Sequence, residues 1–146
     1  MVRTVYLIRH GEPHSIGELG ILTDANRTLT PEGKEMIARQ AKGFKTMGEH
    51  IDACISSPLI RAVQTAQIMA EPFGLENAIE TSESLGVYSS REDLLKMLQM
   101  RTESSLLLVS HTPFIGEFLS KLVCGHVYGA MSFGKGDMAR VDLIGF

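Results

Sequence analysis

Three short apolar segments of this chain each lead directly into residues suited to chemistry or to starting a helix. The segments are residues 4–8, 53–56 and 106–109. The first leads into Arg9 and His10, and the third leads into His111. Because the segments show no alternation of polar and apolar residues, both of their faces are expected to be buried, as in a parallel sheet covered by helices. The chain is therefore predicted to fold around such a sheet.

Residues that typically start a helix follow these strands or lie between them. Three of the four predicted helices have a Ser or Thr cap that precedes a proline, which is favoured in the first helical turn. These caps are Thr30, Ser57 and Thr112, and a further helix is predicted over about residues 90–100. Because strands and helices alternate, we expect an α/β fold with a mostly parallel central sheet and helices on both faces. Residues 138–144 are predicted to add a last strand.

Composition limits the classes to which the protein can belong. Its 146 residues fit a single domain spanning 1–146, without a large lid insertion. The net charge of −3 gives no basic surface for nucleic acid or an anionic membrane, and no apolar run is long enough for a membrane span. Cys54 and Cys124 lie in apolar segments and are expected to be reduced core residues. With no signal peptide pattern at residues 1–10, we expect a cytoplasmic protein.

The carboxyl ends of the predicted strands bring basic side chains to one edge of the sheet, where α/β folds bind ligands. That edge receives Arg9 and His10 from the first strand and His111 from the third. Arg61 follows four residues after the Ser57 cap, in a helical turn whose free amides attract anions, and Thr112 opens a similar turn beside His111. Guanidinium groups match phosphoryl oxygens, so this edge is predicted to bind a phosphoryl group.

His10 is the candidate nucleophile of this pocket. A neutral imidazole near its ordinary pKa of about 6.5 is a good nucleophile at neutral pH. Alone, a histidine after a strand is more often structural or a metal ligand. Its combination with Arg61 and His111 favours nucleophilic attack on phosphorus.

Four ordered blocks of the sequence resemble the histidine phosphatase superfamily, the phosphoglycerate mutase-like branch. Residues 7–12 resemble its Arg-His-Gly block, and residues 27–33 its Leu-Thr-x-x-Gly entry to the first helix. Residues 56–66 resemble its second arginine block, and residues 109–113 its second histidine block. Four blocks in the right order are specific, whereas Arg-His-Gly alone would be weak.

The resemblance implies a role for each matching residue. His10 would become phosphorylated, while Arg9, Arg61 and His111 would hold the phosphoryl oxygens and stabilise charge in the transition state. Arg27 matches a pocket arginine of some members, with a solvated loop residue as the alternative. No metal and no cofactor are implied, and the histidines show no spacing typical of zinc ligands.

The short segment between residues 70 and 106 bears on the substrate. Larger family members insert a long cover there, whereas this chain has room for little beyond one helix. An open site suits a phosphorylated protein surface better than an enclosed metabolite. This compactness and the His-x-Pro form of the second histidine block resemble the short SixA-type phosphohistidine phosphatases.

The general acid is the weakest part of the pattern. In mutases and ester phosphatases of the family it is a glutamate after the third strand. Here the candidate is Glu83 in poorly matching surroundings, with Glu12 as the second candidate and a surface role as the alternative for both. A phosphoryl group on imidazole leaves as a neutral base once the ring is protonated, so phosphohistidine demands less of an acid than an ester does.

Three functions remain open from the sequence. The first is a phosphatase acting through a covalent phosphohistidine intermediate on His10, with phosphohistidine of a signalling or carrier protein as substrate. The second is a phosphomonoesterase on a small phosphate ester, with a mutase as its least favoured form. The third is a phosphate-binding regulatory module without turnover. Nothing in the sequence indicates an oligomeric state.

Three further features of the sequence bear on the surroundings of the pocket. Residues 13–29 form the longest connection, and loops of that length are usually functional. The Gly-rich residues 125–136 are predicted either to border the pocket or to be a flexible loop. Tyr88 and Phe133 are interpreted as ordinary loop residues, with substrate contact as the alternative.

Overall fold

A five-stranded mixed sheet forms the centre of the protein, whose computed structural model describes residues 2–145. The strands are β1 (Val2–Arg9), β2 (Ala53–Ser56), β3 (Glu80–Thr81), β4 (Ser105–Ser110) and β5 (Met138–Ile144). Their order is β3-β2-β4-β1-β5, and every pairing is parallel except that of β5 with β1. The mostly parallel sheet predicted from the sequence is confirmed. The two-residue β3 was not predicted, because it is too short and too exposed to show an apolar pattern.

Four helices cover the two faces of the sheet, as predicted. They are α1 (Pro31–Thr46), α2 (Ile60–Ala70), α3 (Arg91–Gln99) and α4 (Phe114–Cys124). Alternate residues of β1 point to opposite faces. Tyr6 and Ile8 belong to the core shared with α1 and α2, whereas Val5 and Leu7 belong to the core shared with α3 and α4. Burial on both faces explains the unbroken apolar run of residues 106–109 in β4.

One of the three predicted helix caps is confirmed, and Ser90 is a cap that was not predicted. The hydroxyl of Thr30 accepts a hydrogen bond from the Gly33 amide at 2.9 Å, and that of Ser90 accepts one from the Asp93 amide at 3.1 Å. These bonds satisfy amides that have no partner within the helix. Gly33 also allows α1 to start close to the loop that follows β1. A Cβ at position 33 would lie only 2.5 Å from the carbonyl oxygen of Glu12 in that loop.

The other two predicted caps are wrong. Helix α2 begins at Ile60 with Leu59 as its cap, because the Ser57 hydroxyl hydrogen bonds to His111 instead of capping the helix. Helix α4 begins at Phe114 with Pro113 as its cap, since the Pro113 carbonyl accepts the first helical bond from Glu117. Thr112 therefore lies before the helix rather than at its start.

The prediction that both cysteines lie in the core is correct for Cys54 only. Cys54 is buried in the core beside α1 and α2, where burial, with a smaller contribution from Glu80, raises the pKa of its thiol to about 12. Cys124 is exposed, because the last residue of α4 lies beyond the part of the helix that packs on the sheet. Both thiols are free.

Candidate active site

Strand register brings the two candidate histidines together. In the pairing of β1 with β4, Arg9 lies opposite Ser110, so His10 and His111 leave the sheet at the same level. The His10 amide donates to the Ser110 carbonyl at 3.2 Å. The two imidazole rings lie beside each other, with centroids 5.1 Å apart. The sequence prediction that these strand ends meet is confirmed.

The hydrogen bonds of His10 assign its two ring nitrogens different roles. Nδ1 lies 2.8 Å from the carbonyl oxygen of Gly11, which only accepts, so Nδ1 carries the proton. Nε2 is left with its lone pair, to which the Nε–H of Arg61 points from 3.4 Å. Burial lowers the pKa of His10 to about 4, with further lowering by Arg61 and Arg9 and an opposing effect of the Gly11 carbonyl. The ring is therefore neutral at neutral pH, with Nε2 available as a nucleophile.

Only one of the two ring nitrogens of His111 has a hydrogen-bond partner among the described residues. Its Nε2 lies 2.7 Å from the hydroxyl of Ser57, whose oxygen also accepts from the Leu59 amide at 3.3 Å. Nδ1 is buried and has no hydrogen-bond partner within residues 2–145. Burial lowers the pKa of His111 to about 3, and the nearby His10 and Arg61 lower it further. If the Ser57 hydroxyl donates to Nε2, the free proton of His111 is on Nδ1.

Arg61 is almost fully buried in the first turn of α2, and Asp24 holds it there. Its Nη1 donates to the Asp24 carbonyl at 2.9 Å, and its Nη2 donates to the Asp24 carboxylate at 3.0 Å. Asp24 belongs to the long connection 13–29, which a β-bridge between Pro13 and Leu29 closes at its base. The same carboxylate binds Arg27 at 3.1 Å. Burial acts to raise the pKa of Asp24, but the hydrogen bonds from Arg27 and Arg61 outweigh it and keep that pKa below its usual value.

The Gly-rich segment 125–136 forms hydrogen bonds with Arg9, so it is not simply a flexible loop. The Nη1 of Arg9 donates to the carbonyl of Phe133 at 3.0 Å, and the backbone of Arg9 bonds to Gly136 and Asp137. The Phe133 ring is buried in the core beside α4, so the alternative that it contacts substrate is wrong. Tyr88, in contrast, is fully exposed.

A small basic cavity of about 170 Å³ lies over the two histidines. It is lined by Arg9, His10, Pro13, Arg27, Arg61, Val87, His111, Thr112 and Lys135. Arg27 and Thr112, both predicted to bind the phosphoryl group, therefore lie at the cavity. Lys135 was not predicted, because it stands in a turn far along the chain. No carboxylate of the described residues lines this cavity.

The candidate acids lie outside the basic cavity. Glu12 forms an ion pair with Lys135 at 2.7 Å. Glu83 is exposed and lines a second, larger cavity of about 810 Å³, which also contains Asp24, Ser57 and Val87. Val87 lines both cavities, so the two adjoin. The sequence missed Asp24; its spacing from Arg27 within a long loop was the one available signal.

Two further observations concern residues 2–145 alone. No helix among them is both long enough and apolar enough to span a bilayer. No three His, Cys, Asp or Glu side chains of this part of the chain come together as a set of metal ligands.

Known proteins resemble this chain over most of its length. A phosphohistidine phosphatase SixA homolog of Haemophilus influenzae is 29% identical over 128 residues, which cover 81% of this chain and 76% of that protein. Phosphohistidine phosphatase SixA of Escherichia coli is 27% identical over 124 residues, covering 83% of this chain and 74% of that protein. The solved structure of the protein histidine phosphatase SixA complexed with tungstate superposes with a TM-score of 0.83 and 26% identity, covering 94% of this chain and 86% of that one.

The family itself is shown by a match to more than half of the chain. The model of the histidine phosphatase superfamily (branch 1) matches residues 5–86, which include most of β1, the first two helices and the turn at Glu83. The chain belongs to this superfamily and is a phosphatase that uses a histidine nucleophile.

Proposed function

We propose that this phosphatase removes the phosphoryl group from phosphohistidine of a protein, through a covalent intermediate on His10. The observation that carries the proposal is the lining of the basic cavity, which contains arginines, a lysine and two histidines but no carboxylate of the described residues. An ester substrate expels an alkoxide, so it needs a positioned proton donor in the cavity. A protonated phosphohistidine expels a neutral imidazole and does not.

The first step is attack of His10 Nε2 on phosphorus. A bond forms between Nε2 and phosphorus while the bond from phosphorus to the substrate's imidazole nitrogen breaks, and the substrate ring leaves neutral. His10 then carries the phosphoryl group on Nε2 and the proton on Nδ1, so its ring becomes cationic. The Gly11 carbonyl, 2.8 Å from Nδ1, stabilises that charge.

The second step is hydrolysis of the phosphoenzyme. Water attacks phosphorus, the bond to Nε2 breaks, and His10 leaves as the neutral ring from which it started, while the proton lost by water goes to solvent. Arg9, Arg27, Arg61 and His111 hold the phosphoryl oxygens. Positioning and charge stabilisation of this kind supply most of the catalysis in phosphoryl transfer.

The nearest carboxylates are unsuited to act as proton donors in this cavity. Asp24 has a lowered pKa and is therefore ionised at neutral pH, with both oxygens occupied by Arg27 and Arg61. Glu12 is paired with Lys135. Glu83, in the adjoining cavity, supports the one alternative, a phosphomonoesterase in which it reaches the leaving group from the side.

The test compares one peptide carrying phosphohistidine with the same peptide carrying phosphoserine. We expect kcat/KM to be at least about 100-fold higher for phosphohistidine, the smaller end of what a general acid contributes to ester hydrolysis. Faster hydrolysis of the phosphoserine peptide would overturn the proposal. A Glu83→Gln variant separates the mechanisms, since it should slow the ester reaction alone.

The positive charge that neutralises the phosphoryl oxygens is proposed to come from the side chains, without a metal ion. Turnover should therefore be unchanged after dialysis against EDTA. A loss that added Mg²⁺ or Zn²⁺ restores would contradict this part of the proposal. We also infer a cytoplasmic location, supported by the two free cysteines.

A further inference from the structure

The larger cavity beside the phosphate site has a different chemistry from that site. It is a groove lined by residues 57–59, by residues 83, 84 and 86–90, and by Asp24, Ala25 and Asp93. We call this surface the acidic groove. Its volume of about 810 Å³ exceeds what a phosphoryl group occupies, whereas the basic cavity of about 170 Å³ suits one. The groove is therefore large enough, and close enough to the phosphate site, to hold the rest of a substrate.

Charged residues along the acidic groove all have the same sign. Asp24, Glu83 and Asp93 line it, and no Lys or Arg of the described residues does. Asp24 is already neutralised by Arg61 and Arg27. Glu83 and Asp93 are exposed, and neither forms an ion pair with another side chain of residues 2–145. Two carboxylates are thus available to a bound partner.

The hydroxyl groups along the groove are committed to the protein itself. The Ser84 hydroxyl bonds to that of Ser82 at 2.6 Å, and the Ser89 hydroxyl donates to the Ser84 carbonyl at 2.7 Å. Ser90 caps α3. These bonds, together with the buried Leu85, hold the wall of the groove in place. A partner therefore meets carboxylates, not a set of free donors that would bind an anion.

Apolar side chains complete the surface. Tyr88 is 100% exposed and Val87 is 38% exposed, directly after the buried Gly86. An exposed aromatic ring near carboxylates favours Arg and Lys, whose aliphatic stems pack on the ring while the charge interacts with its face. Large aromatic residues are also frequent at the centres of protein interfaces.

We propose that the acidic groove is a docking surface for the polypeptide on either side of the phosphohistidine, and that it selects substrates with Lys or Arg beside that residue. The proposal rests on the proposed function, because it takes a protein as the substrate. A small anionic ester gains nothing from this groove, since Glu83 and Asp93 repel a second negative group. The basic cavity thus binds the phosphoryl group, and the acidic groove chooses which protein presents it.

The experiment uses two phosphohistidine peptides of equal length, one with Lys and one with Gln at the positions flanking the phosphohistidine. Phosphoramidate, which has no flanking residues, reports the chemistry alone. We expect kcat/KM of the wild-type protein to be about tenfold higher for the Lys peptide, from two carboxylate contacts and one aromatic contact. The preference should decrease as salt is added.

A matched pair of variants assigns the preference to the groove. Asp93→Lys reverses a charge on the groove, while Glu92→Lys reverses the neighbouring charge, which does not line it. Both residues are exposed in the first turn of α3, so both variants lose the same interaction with the helix N-terminus. Asp93→Lys should abolish the preference for the Lys peptide, Glu92→Lys should keep it, and phosphoramidate turnover should be equal in both.

The remaining outcomes distinguish a failure of the docking proposal from a failure of the proposed function. Equal rates for the two peptides, or equal loss of preference in both variants, would overturn the docking proposal and leave the proposed function standing. Hydrolysis of neither peptide, with a phosphoserine peptide hydrolysed instead, would overturn the proposed function and the docking proposal with it.

Discussion

Arg61 turns its Nε towards the nucleophilic nitrogen of His10 because Asp24 occupies both of its terminal nitrogens. The Nε lies 3.4 Å from His10 Nε2, while the Asp24 carbonyl and carboxylate accept from Nη1 and Nη2 at 2.9 and 3.0 Å. An arginine fixed at one end of its fork presents the remaining N–H in a set direction. Asp24 is therefore a positioning residue for the proposed phosphoryl site, and it acts through Arg61.

This arrangement predicts an order of effects among substitutions. Arg61→Ala removes a charge from the transition state and should lower kcat about 100-fold or more. Asp24→Ala leaves the arginine in place but free to turn, and should lower kcat roughly tenfold, in the range seen when supporting residues are removed. Asp24→Asn keeps an acceptor for Nη2 and should fall between Asp24→Ala and the wild type.

Inhibition by tungstate provides a second measurement for the same variants. An oxyanion that binds in the basic cavity should lose affinity in Arg61→Ala and, to a smaller extent, in Asp24→Ala. Glu18→Gln, in the same loop and away from Arg61, is the control and should bind tungstate normally. If Asp24→Ala bound tungstate as the wild type does, Asp24 would have no positioning role.

His10→Ala should abolish turnover without unfolding the protein. Loss of the nucleophile is expected to reduce kcat by about 10³-fold or more, as in other enzymes with a covalent intermediate. Wild-type protein quenched during turnover should gain the mass of one phosphoryl group, which acid removes, and the variant should gain none. His14→Ala changes a histidine outside the cavity and should retain both activity and the phosphoenzyme. A phosphorylated His10→Ala protein would place the nucleophile elsewhere.

The two site histidines should stay neutral far below the usual histidine pKa. Burial, reinforced by Arg61 and Arg9, lowers the pKa of His10 to about 4, and burial lowers that of His111 to about 3. A lowered pKa means that the neutral ring persists as the pH falls, so NMR signals of both rings should not move between about pH 8 and pH 5. The spectrum of His10→Ala assigns the signals. Titration of His10 near pH 6.5 would contradict the prediction.

The same shift has a consequence for stability. In the unfolded chain both histidines take up protons near pH 6.5, whereas in the folded chain they do so only near pH 4 and below. The unfolded state therefore binds more protons between these values. The free energy of unfolding should fall as the pH drops from about 6.5 towards 4. Urea denaturation across this window measures it.

The sequence predicts the parts of the site that follow regular elements. His10 and His111 come at the ends of strands whose apolar pattern is unmistakable, and Arg61 lies in the first turn of a helix that follows a strand. The general rule for α/β sheets then places them at one edge. The proximity of His10, Arg61 and His111 can therefore be predicted from the sequence.

The residues that the sequence misses lie in loops and act across long distances along the chain. Asp24 and Lys135 stand in irregular segments, where no periodicity shows which way a side chain points. Arg9 and Phe133 are 124 residues apart in sequence, yet a hydrogen bond joins them. One of the two wrong caps has a similar origin, since the Ser57 hydroxyl bonds to His111, 54 residues away along the chain.

Gly116 of α4 is predicted to be required for the support of Arg9. A Cβ at this position would lie 2.0 Å from the carbonyl oxygen of Met131, in the segment that carries Phe133. Gly116→Ala must push that segment away, which should lower the free energy of unfolding by about 1–3 kcal/mol despite alanine's better helix propensity. Turnover should fall as well, because the Phe133 carbonyl holds Arg9.

Gly43→Ala is the matched control for this substitution. Gly43 also lies inside a helix, and a Cβ there meets nothing within 4 Å. Alanine should therefore stabilise α1 by about 0.5–1 kcal/mol, since it restricts the unfolded chain without a clash. Chemical denaturation and kcat/KM of both variants test the pair: the two substitutions should move stability in opposite directions, and Gly116→Ala alone should lower activity. A Gly116→Ala protein as stable and active as the wild type would mean that the segment can withdraw from α4 without disturbing Arg9.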